Sequence, residues 1–218
     1  MLFDLDGTLI DSASGIAEAV NCTLDELGHP RQHESVVLGW VGEGARILLH
    51  RALRHAGAGL PDGEEFDSRF ALLMRHYAAS LPLQARAYPG VEDALRGLRA
   101  QGRKLALCTN KPERFIAPLL DALDWHGWFD GIVGGDTLAK PKPSALPLRH
   151  LAEGFGVAVD DCLMVGDSHT DAEAARAAGM PLVLVDYGYH RGFDLHSAGA
   201  RAVTGDLRSL LTAPAFAP

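Results

Sequence analysis

Asp4 and Asp6, one on either side of Leu5, are the first residues in the chain whose type and spacing could do chemistry. Leu2 and Phe3 read as the end of a buried strand. Residues two apart on an extended backbone point to the same side, so both carboxylates leave that strand together. Gly7 and Thr8 then break it. Two ionised carboxylates held close repel each other unless a cation lies between them or one keeps a proton. The pair therefore suits a divalent metal or acid/base work, although Asp and Gly are also ordinary turn residues. Three more polar groups follow apolar runs. Thr109 and Asn110 close the run Lys104 to Cys108, and Lys140 stands in Lys140-Pro141-Lys142-Pro143. Asp167 and Asp171, one helical turn apart, follow Asp161 to Val165. Singly, each has a plain alternative: Thr109 or Asp167 as a helix cap, Asp171 on a wet helix face, Lys140 as a solvated loop residue.

The elements that would position these groups come in two kinds. From Ser12 to Gly28 the residues Ile16, Val20, Leu24 and Leu27 fall at helical spacing, with Ser12 or Ser14 as cap and Gly28-His29-Pro30 as the stop. Glu34 to Trp40 reads as a second helix. Gly42-Glu43-Gly44 opens a third, whose apolar face is Ile47, Leu48, Leu49 and Leu53. Glu64 to Ala79 is a fourth, through Phe66, Phe70, Leu73, Met74 and Tyr77. Residues 13–86 thus predict a small helical bundle without strands. After Tyr88-Pro89-Gly90 helices and strands alternate. The helices are Val91 to Ala100, Pro112 to Leu123 (with Pro112 near its first turn), Ser144 to Gly154 and Asp171 to Ala178. The strands are 104–108, 131–134, 161–165 and 181–185. That rhythm predicts a parallel sheet with right-handed crossovers, formed by residues 1–12 and 87–218. Such sheets bind ligands at the carboxyl ends of their strands, so all four polar sets are expected on one rim.

Composition narrows the function. The chain has 218 residues, 47% of them hydrophobic, and a formal net charge of −8, enough for a sizeable core and unsuited to a nucleic-acid partner. Cys22, Cys108 and Cys162 are scattered and unpaired by motif, which predicts a reduced, cytoplasmic protein. No leader pattern and no run long enough to span a bilayer is present. A monomer or weak dimer is expected. Only three residues precede Asp4, so either the native chain starts further upstream or the first strand is short. Residues 213–218 are expected to be frayed, and 191–208 carry no legible signal.

Asp4-Leu5-Asp6-Gly7-Thr8, an apolar run ending in Thr109, a lysine before proline, and Gly166-Asp167-Ser168 followed by Asp171 resemble the ordered signatures of the haloacid dehalogenase superfamily. The resemblance implies a Rossmann-like α/β core with an inserted helical cap, hinged near Asp11 to Ser14 and Ala85 to Pro89. It implies a Mg²⁺-dependent phosphomonoester hydrolase acting on a small phosphorylated metabolite. Asp4 would be the nucleophile and Asp6 the general acid and base. Mg²⁺ would be held by Asp4, the Asp6 carbonyl and Asp167, with Asp171 just behind. Thr109 and Asn110 would hold phosphoryl oxygens. Lys140 would neutralise charge, and is preferred to Lys142 because the pattern is K-P-x-P. In the cap, Gly44 at a helix N-terminus and Arg46 beside it could take a substrate anion, or could be a plain turn and a solvated arginine.

The resemblance is closest to bacterial phosphoglycolate phosphatases, through Gly39 to Gly44, Tyr88-Pro89-Gly90-Val91, Thr109 to Pro112, Gly134-Gly135-Asp136, Gly166-Asp167-Ser168 and Tyr187-Gly188-Tyr189. Phosphatases of other sugar phosphates, such as an N-acetylmuramic acid phosphate, and sugar phosphomutases are the neighbouring alternatives. A non-catalytic binding module is a more distant one. Asp6 argues against a dehalogenase. The absence of lysine between Ser12 and Lys104 removes a Schiff-base phosphonate hydrolase.

Overall fold

The computed structural model describes residues 1–59 and 61–212; the tail expected to fray lies outside them. Six strands form one parallel sheet: β1 (Leu2–Phe3), β2 (Ala106–Cys108), β3 (Gly131–Val133), β4 (Met164–Gly166), β5 (Leu182–Val185) and β6 (Ala202–Thr204), in the order β3-β2-β1-β4-β5-β6. The chain leaves β1 toward β2 and β3, then returns to β4 on β1's other side. The order reverses at β1, so a crevice opens beyond its carboxyl end.

Strict alternation builds the two faces. Leu105, Leu107, Leu163, Val165, Val183 and Val185 point with Phe3 into one apolar layer. That layer is closed by α5 (Val91–Ala100) and α6 (Ile116–Ala122), with the fully buried Trp125. Leu2, Ala106, Cys108, Met164, Leu182 and Leu184 point into the other, beneath α7 (Leu146–Phe155) and α8 (His169–Ala178). Buried on both sides, the strands read as continuous apolar runs.

The segment between β1 and β2 is helical: α1 (Ala13–Glu26), α2 (Glu34–Leu38), α3 (Ala45–His55) and α4 (Gly63–Ala79) precede α5. Its own apolar cluster includes Ile16, Val20, Leu24, Leu49, Leu53, Leu73 and Tyr77. Phe115, from the segment after β2, packs into that cluster, its ring 4.9 Å from that of Tyr77. The two linkers to the insert lie side by side. Ile10 bridges Ala87 antiparallel, Asp11 N–H donates to the Arg86 carbonyl at 2.8 Å, and Tyr88 N–H donates to that of Leu9 at 3.1 Å.

Several expectations need correction. Ser12 sits at the N-cap of α1, but its buried hydroxyl bonds nothing; Asp11 Oδ1 accepts from Ala13 N–H instead, at 3.3 Å. Ile47 turns outward, 40% exposed. The helix expected from Pro112 begins as a 3-10 turn, Glu113–Phe115, with Pro112 in front of it. β6 arises from the stretch that gave no signal. It is a three-residue, half-buried edge strand, too short to display a period.

Candidate active site

The rim at β1 is assembled by loops tied to one another. After Asp4 the chain stops being extended: the Leu5 carbonyl accepts from Thr8, Leu9 and Ile10 N–H groups. Thr8 Oγ1 donates to Asp167 Oδ1 at 3.0 Å, which joins the loop after β1 to that after β4. Gly7, at φ +87°, lies against Asp167 and the Tyr189 ring, where a Cβ would collide with both. Tyr189 N–H donates to Asp167 Oδ2 at 2.5 Å. The Tyr189 hydroxyl accepts from Ser12 N–H at 2.8 Å and donates to Asp11 Oδ1 at 3.1 Å. One residue after β5 thus holds both a site carboxylate and a linker to the insert.

Carboxylate oxygens of Asp4, Asp167 and Asp171 lie within 4.8 Å of one another, all buried. Lys142 enters this group: its Nζ is 3.0 Å from Asp4 Oδ1 and 2.5 Å from Asp171 Oδ1. Asp171 Oδ2 accepts from Asp167 N–H, Ser168 N–H and the Ser168 hydroxyl, within the capping box that starts α8. Asp171 is therefore committed to Lys142 and the helix start, while Asp4 and Asp167 face the crevice.

Lys140, the lysine preferred from the sequence, is exposed and away from these groups. The reason is local. The Lys142 carbonyl accepts from Asn110 Nδ2 at 2.8 Å, which pins that peptide beneath the loop after β2 and sends the Lys142 side chain inward. The K-P-x-P pattern is met by Lys140 alone and selected the wrong lysine; the one that enters the site occupies its x position.

Asp6 lines the same cavity as Asp4 but belongs to a different ion pair. Lys111 Nζ donates to its Oδ1 at 3.0 Å and Oδ2 at 3.3 Å, and also to the Tyr77 hydroxyl at 2.8 Å and Gln84 Oε1 at 2.7 Å. Sequence reasoning missed Lys111, although it directly follows Thr109 and Asn110. Both of those are buried and line the cavity. Thr109 Oγ1 accepts from Lys111 N–H at 3.2 Å, and Asn110 Nδ2 reaches the Gly42 carbonyl of the insert at 3.1 Å. Gly44 lines the cavity at the start of α3. Arg46 does not. It lines a neighbouring cleft that shares Gly44, Ala45, Asn110 and Pro112 with the cavity, and there it pairs with Asp67 at 2.7 Å, its guanidinium over Phe66 and Phe70. The cavity measures about 40 Å³, and the insert gives it an apolar wall of Ile16, Val41 and Leu48.

Burial, with Asp171 and Asp6 adding to it, pushes the Asp4 carboxyl up to about 6 against the pull of Lys142. Burial and then the neighbouring Asp171 and Asp4 hold Asp167 well above the usual carboxylate range. Burial opposes the charge on Lys142 and Lys111, yet their aspartate partners hold both above the ordinary lysine value. Three buried carboxylates against one ammonium leave an excess of negative charge. Asp4 and Asp167 are ionised together most readily with a cation between them, so the donor set fits a hard divalent metal.

A family model described as haloacid dehalogenase-like hydrolase matches residues 1–179. A phosphoglycolate phosphatase of Pseudomonas putida is 45% identical over 97% of this chain and 78% of its own length. One from Nitrosospira multiformis is 41% identical over 95% of this chain and 91% of its own. Among solved structures, a predicted phosphoglycolate phosphatase from Haemophilus somnus superposes with a TM-score of 0.90 at 33% identity, covering 96% of this chain and 95% of that one.

Proposed function

The chain belongs to the haloacid dehalogenase-like hydrolases and is a phosphatase of that family, and on that premise we propose that it hydrolyses 2-phosphoglycolate to glycolate and phosphate through an aspartyl-phosphate on Asp4. The observation that carries this reading is the buried Asp4 carboxylate, 3.0 Å from Lys142 Nζ, at the floor of a small cavity shared with Asp6 and Asp167.

An Asp4 carboxylate oxygen attacks phosphorus. The bond from phosphorus to the ester oxygen breaks, its electron pair stays on that oxygen, and a proton from the Asp6 carboxyl goes to it. Water then attacks phosphorus and gives its proton to the Asp6 carboxylate, and the bond to Asp4 breaks to release phosphate. Lys142 faces the negative charge that gathers around Asp4 and the phosphoryl group, while Thr109 and Asn110 orient phosphoryl oxygens. Asp4, the Asp6 carbonyl and Asp167 would hold Mg²⁺, which supplies further charge neutralisation. Asp171 holds Lys142 and the loop that carries Asp167.

The apolar wall that the insert gives the cavity, Ile16, Val41 and Leu48, supports a substrate with a compact non-phosphate part. The start of α3 at Gly44 and Ala45 leaves backbone N–H groups for the glycolate carboxylate. Three free cysteines, and the lack among the described residues of a helix long and apolar enough to cross a membrane, support a reducing, cytoplasmic setting. The test is phosphate release with Mg²⁺ from a panel of small phosphomonoesters. The expected result is fastest turnover of 2-phosphoglycolate, with Asp4→Asn lowering kcat by about 10⁴-fold or more. Phosphate release undiminished in Asp4→Asn would remove the proposed nucleophile.

A further inference from the structure

Lys111 is fully buried, and its three ammonium donors all find partners in different parts of the chain. Asp6 belongs to the loop after β1. Tyr77 lies on α4 of the insert. Gln84 lies in the linker returning from the insert, wholly buried, and continues the network through Ser80 Oγ at 3.0 Å and from there to the Tyr77 carbonyl. α1 closes over Gln84 at Gly15, where even a methyl group would strike the Gln84 side chain. The Tyr77 ring is fixed in turn by Phe115. Nothing in the chemistry assigned to Asp4 uses Lys111. It grips the other aspartate, and two of its three holds come from the insert and its linker.

We propose that Lys111 is a positioning residue: it orients the Asp6 carboxyl for proton transfer and does so only while the helical insert is docked, because Tyr77 and Gln84 hold the ammonium in place. Insert closure and the proton step are thereby one event. This rests on the reading of Asp4 and Asp6 above.

The experiment compares two phosphoryl donors in rapid-quench assays. 2-Phosphoglycolate loses an alkoxide, which needs a proton from Asp6. Acetyl phosphate loses a carboxylate, which leaves without one; both then require Asp6 as base to clear Asp4 of phosphate. Labelling of wild-type Asp4 by both donors tests the underlying reading by itself, and no labelling at Asp4 would overturn that reading together with the proposal. Given labelling, Lys111→Met is expected to lower kcat on 2-phosphoglycolate by about 10²-fold. It should still be phosphorylated by acetyl phosphate at close to the wild-type rate, and should accumulate the aspartyl-phosphate. Tyr77→Phe keeps the ring and its packing and removes one hydrogen bond. It should show the same signature at about fivefold, which covers the case in which Lys111→Met does not fold. Equal loss of labelling and turnover with both donors in Tyr77→Phe, or no loss of turnover in a folded Lys111→Met, would overturn the proposal.

Discussion

Two buried lysines face the two aspartates that flank Leu5, and they are held differently. Lys142 sits between Asp4 and Asp171, all three in the sheet core and its loops. Lys111 sits between Asp6, Tyr77 and Gln84, one group from the core and two from the insert and its linker. The first lysine has both of its carboxylate partners in the core. The second is complete only in the docked arrangement. A phosphatase needs both kinds: a permanent field for a highly charged phosphoryl group, and a proton relay that works once water outside the site is shut out.

The largest effect should come from the permanent side. Lys142→Met leaves three buried carboxylates without an ammonium among them. Turnover should fall by about 10³-fold, the scale of losing a main charge-stabilising group. The loss should be alike for 2-phosphoglycolate and acetyl phosphate, since Lys142 faces the phosphoryl group rather than the leaving oxygen. Circular dichroism would check the fold and phosphate release the rates. A loss confined to 2-phosphoglycolate would break the distinction between the two lysines.

An intermediate effect concerns pH. The folded-state value of Asp4, about 6, and that of Asp167, held well above the usual carboxylate range, both exceed the ordinary 3.8. A carboxyl raised on folding binds its proton more tightly in the folded chain. Its stabilising contribution is therefore full below the unfolded value and is lost as pH rises through the folded one. Stripped of divalent ions with EDTA, the protein should lose several degrees of Tm between pH 5 and pH 7.5. Adding Mg²⁺ should raise Tm more at pH 7.5 than at pH 5, as the proposed binding to the ionised pair requires. Scanning calorimetry reads both. Asp6→Asn removes only the smallest contribution to the raised Asp4 value and should shift this profile slightly toward lower pH; equal stabilisation by Mg²⁺ at both pH values would remove the excess-charge argument.

The permanent side was the more legible in sequence, for a physical reason. Asp4, Asp167 and Asp171 sit at or just past strand ends, and a parallel sheet brings strand ends together whatever the detail of the loops. The K-P-x-P pattern favoured Lys140 over Lys142, but burial was decided by the Lys142 carbonyl, 32 residues from the Asn110 that pins it, and no local pattern reports that contact. Lys111 lay in plain view after Thr109 and Asn110, but its partners Tyr77 and Gln84 are 34 and 27 residues away in a different element, where no local period points to them. The same holds for β6, whose pairing of Val183 with Ala202 exists only in the folded sheet.

The smallest effects should come from the two cations that the sequence favoured and the structure leaves out of the cavity around Asp4. Lys140 is exposed, and Arg46 with its partner Asp67 is more than half exposed, at 58% and 63%. Exposed pairs are screened by water and contribute little, although the Arg46 guanidinium also lies 4.9 Å and 4.8 Å from the Phe66 and Phe70 ring centres. Lys140→Ala and Arg46→Ala should each leave kcat and KM for 2-phosphoglycolate within about twofold. Arg46→Ala should lower Tm by about 2 °C through the lost stacking. A tenfold rise in KM for Arg46→Ala would put the guanidinium on the substrate carboxylate. The insert would then grip substrate through the cleft beside the cavity, and Lys111 would no longer be the only group through which the insert reaches the chemistry.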